Sequence, residues 1–586
     1  MRFKSLLLLT HALLPGCHAH PGQEPPMQPS PENARLNSHR IFNAVRAVGR
    51  QWDSSIHHNG FSFVPAVAPA GTVLYHGSYR STRPDGPEWL AFEVEHAEMF
   101  ARSHPKGKGP QLPNPKPPLE DNAAGLRITE EQVVLSGHRE QVPGDDHGDR
   151  NGDGDSDEPT KFIRGYLHTY QAPRDLNLLV IDGMSAAKVD MGTLDSQDYL
   201  LRLIADRNHG NRDGHEIVFD EYLRAKEMCD LIIPWGYDGV VRMEIGFEVI
   251  MCDFAHLDLV SATRSFIVSN VLDGSSRLDL FQWARAVSQR YDGIGGDRLR
   301  FDFSSMVSAL FFPLNVSATD PDRPDLVRLG AEPTSRLRAI RDYLGESAGV
   351  AGSRRFTVNW QAIVDMVVTR YADRFAHMAS STITPGRFES ELDAATFLYI
   401  DAPTTPDDVD IMTPKVNLSA TEAAIDRCSA HYLLPSLLVE DRWSTEDKLL
   451  HAAIHQVMED ICYNLFTIRE FFPADPKPSL SLRHDETVGH RDHEDGNDDG
   501  GSREEAMREA LEAGQQLVRD MMRDLDWPVW KKRGPCSADE ILFVAMWPFG
   551  DEKDHWNPGC RTIDDFRVPS GDYWRLYFPT MPQVIV

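Results

Sequence analysis

Hydrophobic residues are spaced in two different ways along the chain. Between residues 61 and 254 they form short runs bounded by Gly and Pro, which is the pattern of buried β-strands. Helix-like stretches interrupt these runs, so residues 36–264 are predicted to form one α+β domain. The strand-like runs are residues 61–75, 162–170, 176–182, 239–242 and 248–254, and the helix-like stretches are residues 194–204 and 216–231.

Helical spacing predominates after residue 264. Ser444 and Asp447 are spaced as in a capping box, which marks the start of a helix. Residues 265–586 are therefore predicted to form a mostly α-helical region, to which the sequence assigns no role. The whole chain is expected to belong to the α+β class. The clearest amphipathic stretches of this region are residues 278–291, 360–376, 446–472 and 503–525.

Three polar segments lie outside these patterns. Residues 20–35 are rich in Pro, Gln and Glu and are predicted to be a flexible leader. Residues 104–160 form a polar insert whose first part is rich in proline and whose last part is rich in acidic residues. Residues 483–505 contain nine acidic residues interspersed with glycines, and we predict a disordered acidic loop there.

The first residues have the organisation of a secretory signal. Arg2 and Lys4 precede a short apolar run, and small residues follow it at a suitable cleavage site. The run is too short to cross a bilayer. We therefore predict a signal peptide over residues 1–19 and a soluble protein that is secreted to the extracellular space. Sequons at Asn315 and Asn417 would be available for glycosylation on this route.

Secretion also favours disulfide bonds over free thiols. Six cysteines remain after the signal peptide, and the sequence leaves 15 pairings open. No cysteines have the spacing of a zinc site, and no bound metal is expected. Pairing between neighbours in the sequence is the simplest arrangement and would join Cys536 to Cys560 and Cys428 to Cys462.

The excess of acidic residues argues against two classes of partner. The 586 residues include 60 Lys and Arg against 89 Asp and Glu, which gives a formal net charge of −29. Nucleic-acid phosphates and anionic lipids both repel such a chain. We therefore expect no nucleic-acid partner and no integral membrane contact.

Three sequence blocks contain a histidine, aromatic rings and a glutamate in a regular order. The first block is a strand-like run that ends in His76 and Gly77. The second block is a strand, a turn and a short helix, and it carries Trp89 and Phe100. The third block contains a Tyr-Asp-Gly sequence and a strand that opens with Glu248.

Together these blocks resemble the ADP-ribosyltransferase fold, and within it the His–aromatic–Glu clade that includes the poly-ADP-ribose polymerases. The resemblance covers residues 60–262, a little over a third of the chain. It implies a split β-sheet that binds NAD as a substrate. It also implies a reaction that breaks the bond between nicotinamide and ribose.

The resemblance implies a role for each matching residue. His76, with Gly77 beside it, would contact ribose and amide groups of NAD. Trp89 or Phe100 would stack on the nicotinamide ring, because flat apolar walls suit a flat ring. Glu248 would be the catalytic residue and would bind the ribose next to nicotinamide, where a carboxylate stabilises an oxocarbenium-like charge.

The chain departs from the family's pattern at several positions. Trp89 and Phe100 stand where the family usually has tyrosines. The arginine-modifying clade has Gln or Glu two residues before its catalytic Glu, whereas this chain has Gly246, which argues against arginine as the acceptor. Glu244 precedes Glu248 by four residues and is a rival for the catalytic carboxylate.

These observations lead to one main hypothesis and two alternatives. In the main hypothesis, a secreted enzyme splits NAD and transfers ADP-ribose to an unknown protein or small acceptor, or to water. In the first alternative, the domain is a catalytically inactive binding module followed by a helical interaction domain. The second alternative is a metal-dependent hydrolase built on His451, His455 and Glu459, which lie four residues apart on one predicted helix.

Overall fold

A computed structural model of the chain has a curled sheet, a half-barrel, in its first half and a mostly helical second half, so the predicted α+β class is confirmed. The predicted signal peptide, most of the predicted polar insert, most of the predicted acidic loop and Asn417 lie outside the described residues. The structure describes residues 26–105, 162–189, 191–204, 221–265, 277–315, 323, 325–330, 332–350, 355–401, 418–472, 499–566 and 573–574.

Fourteen strands are present in the described residues, and seven of them lie wholly or partly in the predicted runs. The run at residues 176–182, for example, forms the strand Leu176–Ile181. In chain order the strands are β1 (Ser62–Ala68), β2 (Val73–Ser78), β3 (Glu88–Ala91), β4 (His104–Pro105), β5 (Phe162–Ile163), β6 (Tyr166–Gln171), β7 (Leu176–Ile181), β8 (Gly239–Glu244), β9 (Gly246–Met251), β10 (Asp258–Arg264), β11 (Arg300–Phe301), β12 (Val307–Ser308), β13 (Ile541–Phe543) and β14 (Gly559–Arg561).

Ten of these strands form one sheet in the order β10–β6–β2–β3–β9–β8–β7–β1–β11, and β12 also pairs with β1. Neighbouring strands are antiparallel except for the parallel pair β7–β8. Every residue of β1, β8 and β9 is buried, because helices and loops cover both faces of the central sheet. The edge strand β10 is exposed along its whole length. The sheet therefore has a buried centre, and the motif strands β2, β3 and β9 lie within it.

The helices in the described residues include the stretches predicted from amphipathic spacing. The capping box is present: Ser444 accepts from the backbone N–H of Asp447, and Asp447 accepts from that of Ser444. In chain order the helices are α1 (Pro31–Leu36), α2 (Ser38–Ala47), α3 (Gln51–Ile56), α4 (Val94–Phe100), α5 (Glu221–Ile232), α6 (Arg277–Ser288), α7 (Thr334–Val350), α8 (Trp360–Met378), α9 (Pro385–Thr396), α10 (Leu418–Ala430), α11 (Leu434–Leu437), α12 (Thr445–Phe471), α13 (Asp499–Leu525) and α14 (Glu552–Trp556).

The sheet and the helical region share one hydrophobic core. The helices α1 and α2, which precede the sheet, pack on α12. The strands β11 and β12, which follow residue 264, pair with β1. The Ser444 hydroxyl, at the start of α12, donates to the carbonyl oxygen of Ser304 at 2.6 Å. Segments on both sides of residue 264 thus contribute to the same packing.

Three disulfide bonds are formed. The predicted pairs Cys428–Cys462 and Cys536–Cys560 are confirmed. The third bond, Cys229–Cys252, joins α5 to the residue after β9. Such bonds are typical of proteins that fold in oxidising compartments. None of the helices in the described part of the chain is long and apolar enough to span a membrane.

Candidate functional site

One small cavity lies where the sheet opens between β2 and β3 and α4 crosses it. All five residues that the motifs singled out line this cavity: His76, Gly77, Trp89, Phe100 and Glu248. It is also lined by four polar or charged residues outside that set: Tyr75, His96, Lys188 and Glu244. The fold therefore brings three distant sequence blocks to one enclosed space.

The cavity is nearly closed in this conformation. About 30 Å³ is open to the centre of a water-sized sphere, which is room for about one or two water molecules. Pockets that hold cofactors and other small ligands usually enclose about 300–1,000 Å³. A dinucleotide can therefore enter this site only if the elements around it move apart.

The cavity exists because β2 and β3 separate along most of their length. Tyr75 pairs with Ala91 between these strands, whereas β2 pairs with β6 at six positions. Gly77 lets α4 lie directly on β2: a Cβ at this position would stand 2.2 Å from the carbonyl oxygen of Ala97. Gly77 thus shapes the cavity, because it lets α4 approach β2 closely. The sequence motif did not indicate this role.

Glu248 is held by a buried arginine on the neighbouring strand. Arg242 of β8 is the cross-strand partner of Glu248. Its Nε and Nη2 donate to Oε1 of Glu248 at 2.9 Å and 2.5 Å. Charge-assisted bonds of this kind fix the position of a carboxylate. Both bonds go to Oε1, so Arg242 does not engage Oε2.

Arg242 also connects Glu248 to a wider network of buried charges. Its Nη1 donates to Oε1 of Gln197 at 3.0 Å, and its Nη2 donates to Oε2 of Glu221 at 2.9 Å. Glu221 pairs in turn with Arg224, which donates to Asp198 at 2.9 Å. Burial alone would raise the pKa of Asp198, but the adjacent arginines outweigh burial and lower it. The network ties β8 and β9 to α5.

The rival carboxylate, Glu244, is engaged on both sides. The Nζ of Lys188 lies 3.1 Å from its Oε2, and the Nε2 of His96 lies 3.6 Å from its Oε1. Burial opposes ionisation, but Lys188 and His96 outweigh it and lower the pKa of Glu244. Gly246 makes the turn between β8 and β9 at φ +100°. The turn therefore carries two carboxylates with different partners: arginine for Glu248, and lysine with histidine for Glu244.

His76 comes to the cavity from the opposite face of the sheet. Tyr75, Ala91 and Glu248 are successive cross-strand partners and share one face. Successive side chains on a strand point to opposite faces, so the imidazole of His76 points away from the face of Glu248. Its ring packs near Phe254, with ring centroids 5.8 Å apart. A ligand that touches both groups has to lie in the opening between β2 and β3.

The imidazole of His76 bridges this opening. Burial lowers its pKa to about 4, so the ring is neutral at physiological pH. Its Nδ1 lies 2.8 Å from the carbonyl oxygen of Trp89 and donates to it. Its Nε2 is buried and has no hydrogen-bond partner in the described part of the protein. His76 thus joins β2 to β3 and keeps one acceptor nitrogen free.

The two predicted aromatic walls differ in their surroundings. Trp89 is buried, and its ring meets that of Tyr222 edge to face with centroids 5.1 Å apart. Phe100, at the end of α4, is half-buried and lies next to His96, with centroids 5.9 Å apart. Phe100 is therefore the more accessible of the two rings.

Residues that follow position 262 in the sequence pack against side chains of the cavity wall. The Nζ of Lys188 lies 4.9 Å from the ring centre of Trp547, in a cation–π arrangement. The ring of His96 packs on Trp283 at 4.9 Å, and Trp283 packs on Phe549 at 5.7 Å. Trp547 and Trp283 lie outside residues 60–262, and they contact Lys188 and His96 of the cavity wall.

Two sets of three side chains in the described residues are close enough to share a metal ion. Ligand atoms of His96, Glu244 and Glu248 lie within 4.8 Å of one another. The second set, around Glu540, consists otherwise of two disulfide-bonded cysteines. His451, His455 and Glu459 do not form such a set, and the ring of His451 packs against Trp443.

Comparison with known proteins finds relatives of the segment that holds the cavity. A family model described as the YPL277C N-terminal domain matches residues 33–280, which include every residue of the cavity wall. The Saccharomyces cerevisiae protein named Uncharacterized protein YPL277C is 36% identical over 230 residues, which are 38% of this chain and 42% of that protein. Uncharacterized protein YOR389W of the same yeast is 36% identical over 228 residues, or 38% of this chain and 33% of that protein.

The matched stretches cover a minor part of each protein. This chain spans less than half the length of the yeast relatives that it matches. No solved structure matches the chain.

Sequence reasoning missed three residues of the site: Arg242, His96 and Lys188. Arg242 and His96 lie within the quoted blocks, but nothing in their spacing identifies the carboxylates that they contact. Lys188 lies outside all three blocks. Of the polar residues that line the cavity outside the motif set, Glu244 alone is indicated by the sequence, because it lies four residues before Glu248.

Proposed function

We propose that this protein is a secreted enzyme that cleaves NAD between nicotinamide and ribose and transfers ADP-ribose to an acceptor molecule or to water. One observation supports the proposal above all others. Glu248, aromatic side chains and His76 come from separate segments and line one cavity in an opened sheet. This is the set of groups that the resemblance to ADP-ribosyltransferases requires.

The environment of Glu248 suits the chemistry. Departure of nicotinamide leaves positive charge on the ribose, and a fixed carboxylate nearby stabilises that charge. Arg242 holds Oε1 of Glu248 and leaves Oε2 outside the pair. The carboxylate is only 5% exposed, so water does not screen it strongly. Glu248 is in this proposal the catalytic residue.

The nicotinamide ring would lie in the opening between β2 and β3. Phe100 and Trp89 supply apolar walls there, and the free Nε2 of His76 supplies a hydrogen-bond acceptor for an amide or hydroxyl group. Because the cavity admits only about one or two waters, NAD has to separate α4 and β3 from β2 as it binds. The proposal therefore includes a conformational change on binding.

The three disulfides and one of the two sequons are compatible with a secreted protein. Three disulfides are formed, and Asn315 is exposed. Glycosylation of Asn315 would require no local unfolding, because the side chain already lies at the surface.

Incubation of the purified protein with NAD tests the proposal. We expect nicotinamide release, measured by liquid chromatography, and a loss of at least about 100-fold in Glu248→Gln, which removes the charge at nearly constant size. Glu504→Gln, an exposed glutamate on α13, is the matched control and should retain full activity. An inactive wild-type protein, or equal rates in Glu248→Gln and wild type, would contradict the proposal.

An inactive binding module is the second candidate, and the closed cavity favours it. The space for about one or two waters and the salt bridge of Glu248 are both compatible with a site that no longer turns over substrate. Calorimetry with NAD separates the two candidates. Binding of NAD without nicotinamide release would support the module, whereas release at a measurable rate would exclude it.

A further inference from the structure

A histidine–glutamate pair lies beside Glu248 at the inner end of the cavity. His96 of α4 and Glu244 of β8 are 3% and 1% exposed. The Nε2 of His96 lies 3.6 Å from Oε1 of Glu244, and Lys188 holds the other oxygen. A distance of 3.6 Å is longer than a hydrogen bond, but such contacts often shorten when a substrate binds. A carboxylate next to Nε2 favours the tautomer that carries its proton there.

The other nitrogen of His96 is then left with a lone pair. Nδ1 of His96 is buried and has no hydrogen-bond partner among the residues that the structure describes. The His96 ring lines the cavity and is held between Phe100 and Trp283. This nitrogen is out of reach of water in the present conformation, and it becomes able to accept a hydrogen bond from a water molecule when NAD opens the cavity.

A water bound there would lie close to the reacting centre. One ring nitrogen of His96 and one carboxylate oxygen from each of Glu244 and Glu248 lie within 4.8 Å of one another, so the imidazole ring is adjacent to Glu248. In the proposed function, Glu248 binds the ribose whose C1′ carries the developing charge. A water on His96 would therefore be held within a few ångströms of the carbon that it has to attack, in a position that favours reaction.

With the proposed function as the premise, we infer that the acceptor is water and that His96, oriented by Glu244, is the general base that removes its proton. The C1′–N1 bond of NAD breaks, and its electron pair leaves with neutral nicotinamide. The water oxygen bonds to C1′, and its proton passes to Nδ1 of His96 and then to solvent. The products are ADP-ribose, nicotinamide and one proton, so the protein is an NAD glycohydrolase.

The burial of this pair explains why water is preferred to a protein acceptor. Both side chains lie beneath α4, and Trp283 covers the histidine from behind. NAD moves α4 away from Gly77 as it binds and then occupies the opening, so a side chain of another protein would have to pass NAD to approach His96. A water molecule is small enough to enter beside NAD.

The wild-type protein provides the first test. We expect free ADP-ribose in an amount equal to nicotinamide, with the oxygen of ¹⁸O-labelled water at C1′, when NAD is incubated with the protein and a mixture of acceptor proteins. ADP-ribose bound to protein in place of free ADP-ribose would overturn the inference and leave the proposed function standing. An absence of nicotinamide release would instead overturn the proposed function.

Substitution of the pair provides the second test. General-base catalysis typically contributes about 100-fold or more, so His96→Asn should lower kcat by at least about 100-fold and change KM for NAD less than threefold. The kcat of the wild type should fall at low pH, where a general base is protonated, and the kcat of His96→Asn should not show this fall. Imidazole added to the buffer should partly restore the rate of His96→Ala. His451→Asn on α12, a histidine outside the site, should behave as wild type.

Two further measurements keep the inference testable if His96 variants do not fold. Glu244→Gln keeps the shape of the side chain and should lower kcat at least 10-fold and shift the pH profile; an unchanged profile would overturn the inference. Activity should also persist in EDTA. Loss of activity in EDTA that Zn²⁺ restores would overturn it, because His96 would then be a metal ligand and not a base.

Discussion

Arg242 donates two hydrogen bonds to a single oxygen of Glu248, its cross-strand partner in the hairpin formed by β8 and β9. The same guanidinium reaches Glu221 on α5, so the candidate catalytic carboxylate shares its arginine with a second buried acid. Removal of one partner from a buried ion pair leaves the other charge uncompensated. The position of Glu248 therefore depends on Arg242.

Arg242→Met should accordingly destabilise the protein strongly. The variant leaves Glu248 and Glu221 buried without their common partner, and we expect a loss of about 3–5 kcal/mol in the free energy of unfolding. Denaturant titration followed by fluorescence measures this loss. Arg508→Met is the matched control, because Arg508 pairs with Glu512 on the exposed face of α13 and its loss should cost less than about 1 kcal/mol. Similar losses in the two variants would contradict this account.

Gly77→Ala should disrupt the cavity itself. The added methyl group would stand 2.2 Å from the carbonyl oxygen of Ala97, so α4 has to move away from β2. Overpacking of this kind costs about 1–3 kcal/mol, and we expect a lower melting temperature together with lost NAD cleavage. Gly86→Ala is the control, since nothing lies within 4 Å of a Cβ at Gly86. A Gly77→Ala variant with the melting temperature and activity of wild type would contradict this prediction, because α4 could then move without cost.

Acid should destabilise the contact between the amino-terminal helices and the carboxy-terminal segment. His58 and His555 are buried with ring centroids 4.7 Å apart. Burial, aided by neighbouring positive groups, lowers the pKa of His555 to about 2 and that of His58 well below its ordinary value. Because both histidines stay neutral when folded but bind protons near pH 6.5 when unfolded, the stability that they contribute is lost as the pH falls below about 6.5.

The melting temperature of wild type and His555→Gln at pH 7 and pH 5 checks this effect. Each buried histidine should cost wild type up to about 2 kcal/mol over this range, so the variant should lose less stability on acidification. His377→Gln is the control, because His377 is exposed on α8. If His555→Gln and His377→Gln lose equal stability between pH 7 and pH 5, the histidine pair is not responsible.

Trp547→Leu should lower activity from a position far along the chain. Trp547 covers the ammonium group of Lys188, and Lys188 holds Glu244 in the cavity. Loss of a desolvated cation–π contact is worth about 1–2 kcal/mol, so we expect a decrease of about 10-fold in kcat for NAD cleavage. Trp556→Leu removes a cation–π contact between Lys531 and an exposed ring outside the site and should leave kcat unchanged. Equal kcat values in the two variants would exclude a role for Trp547 in the site.

Several elements of this fold follow from short-range patterns in the sequence. The apolar run at residues 176–182 becomes β7, because a strand buried on both faces needs apolar side chains at nearly every position. The start of α12 follows from Ser444 and Asp447, because a capping box is satisfied within four residues. The two predicted disulfides, Cys428–Cys462 and Cys536–Cys560, also follow from short separations along the chain, and Cys229–Cys252 likewise joins consecutive cysteines.

What the sequence by itself determined was therefore the order of the elements, the α+β class and a set of residues able to line a site. Only the tertiary structure decided how those residues are partnered. Three contacts of a few ångströms show this: Arg242 with Glu248, Lys188 with Glu244, and Trp547 with Lys188. The last of them joins residues that are far apart in the sequence. A sequence pattern encodes which face of a helix or strand is apolar, whereas ion pairing and burial depend on where distant segments meet.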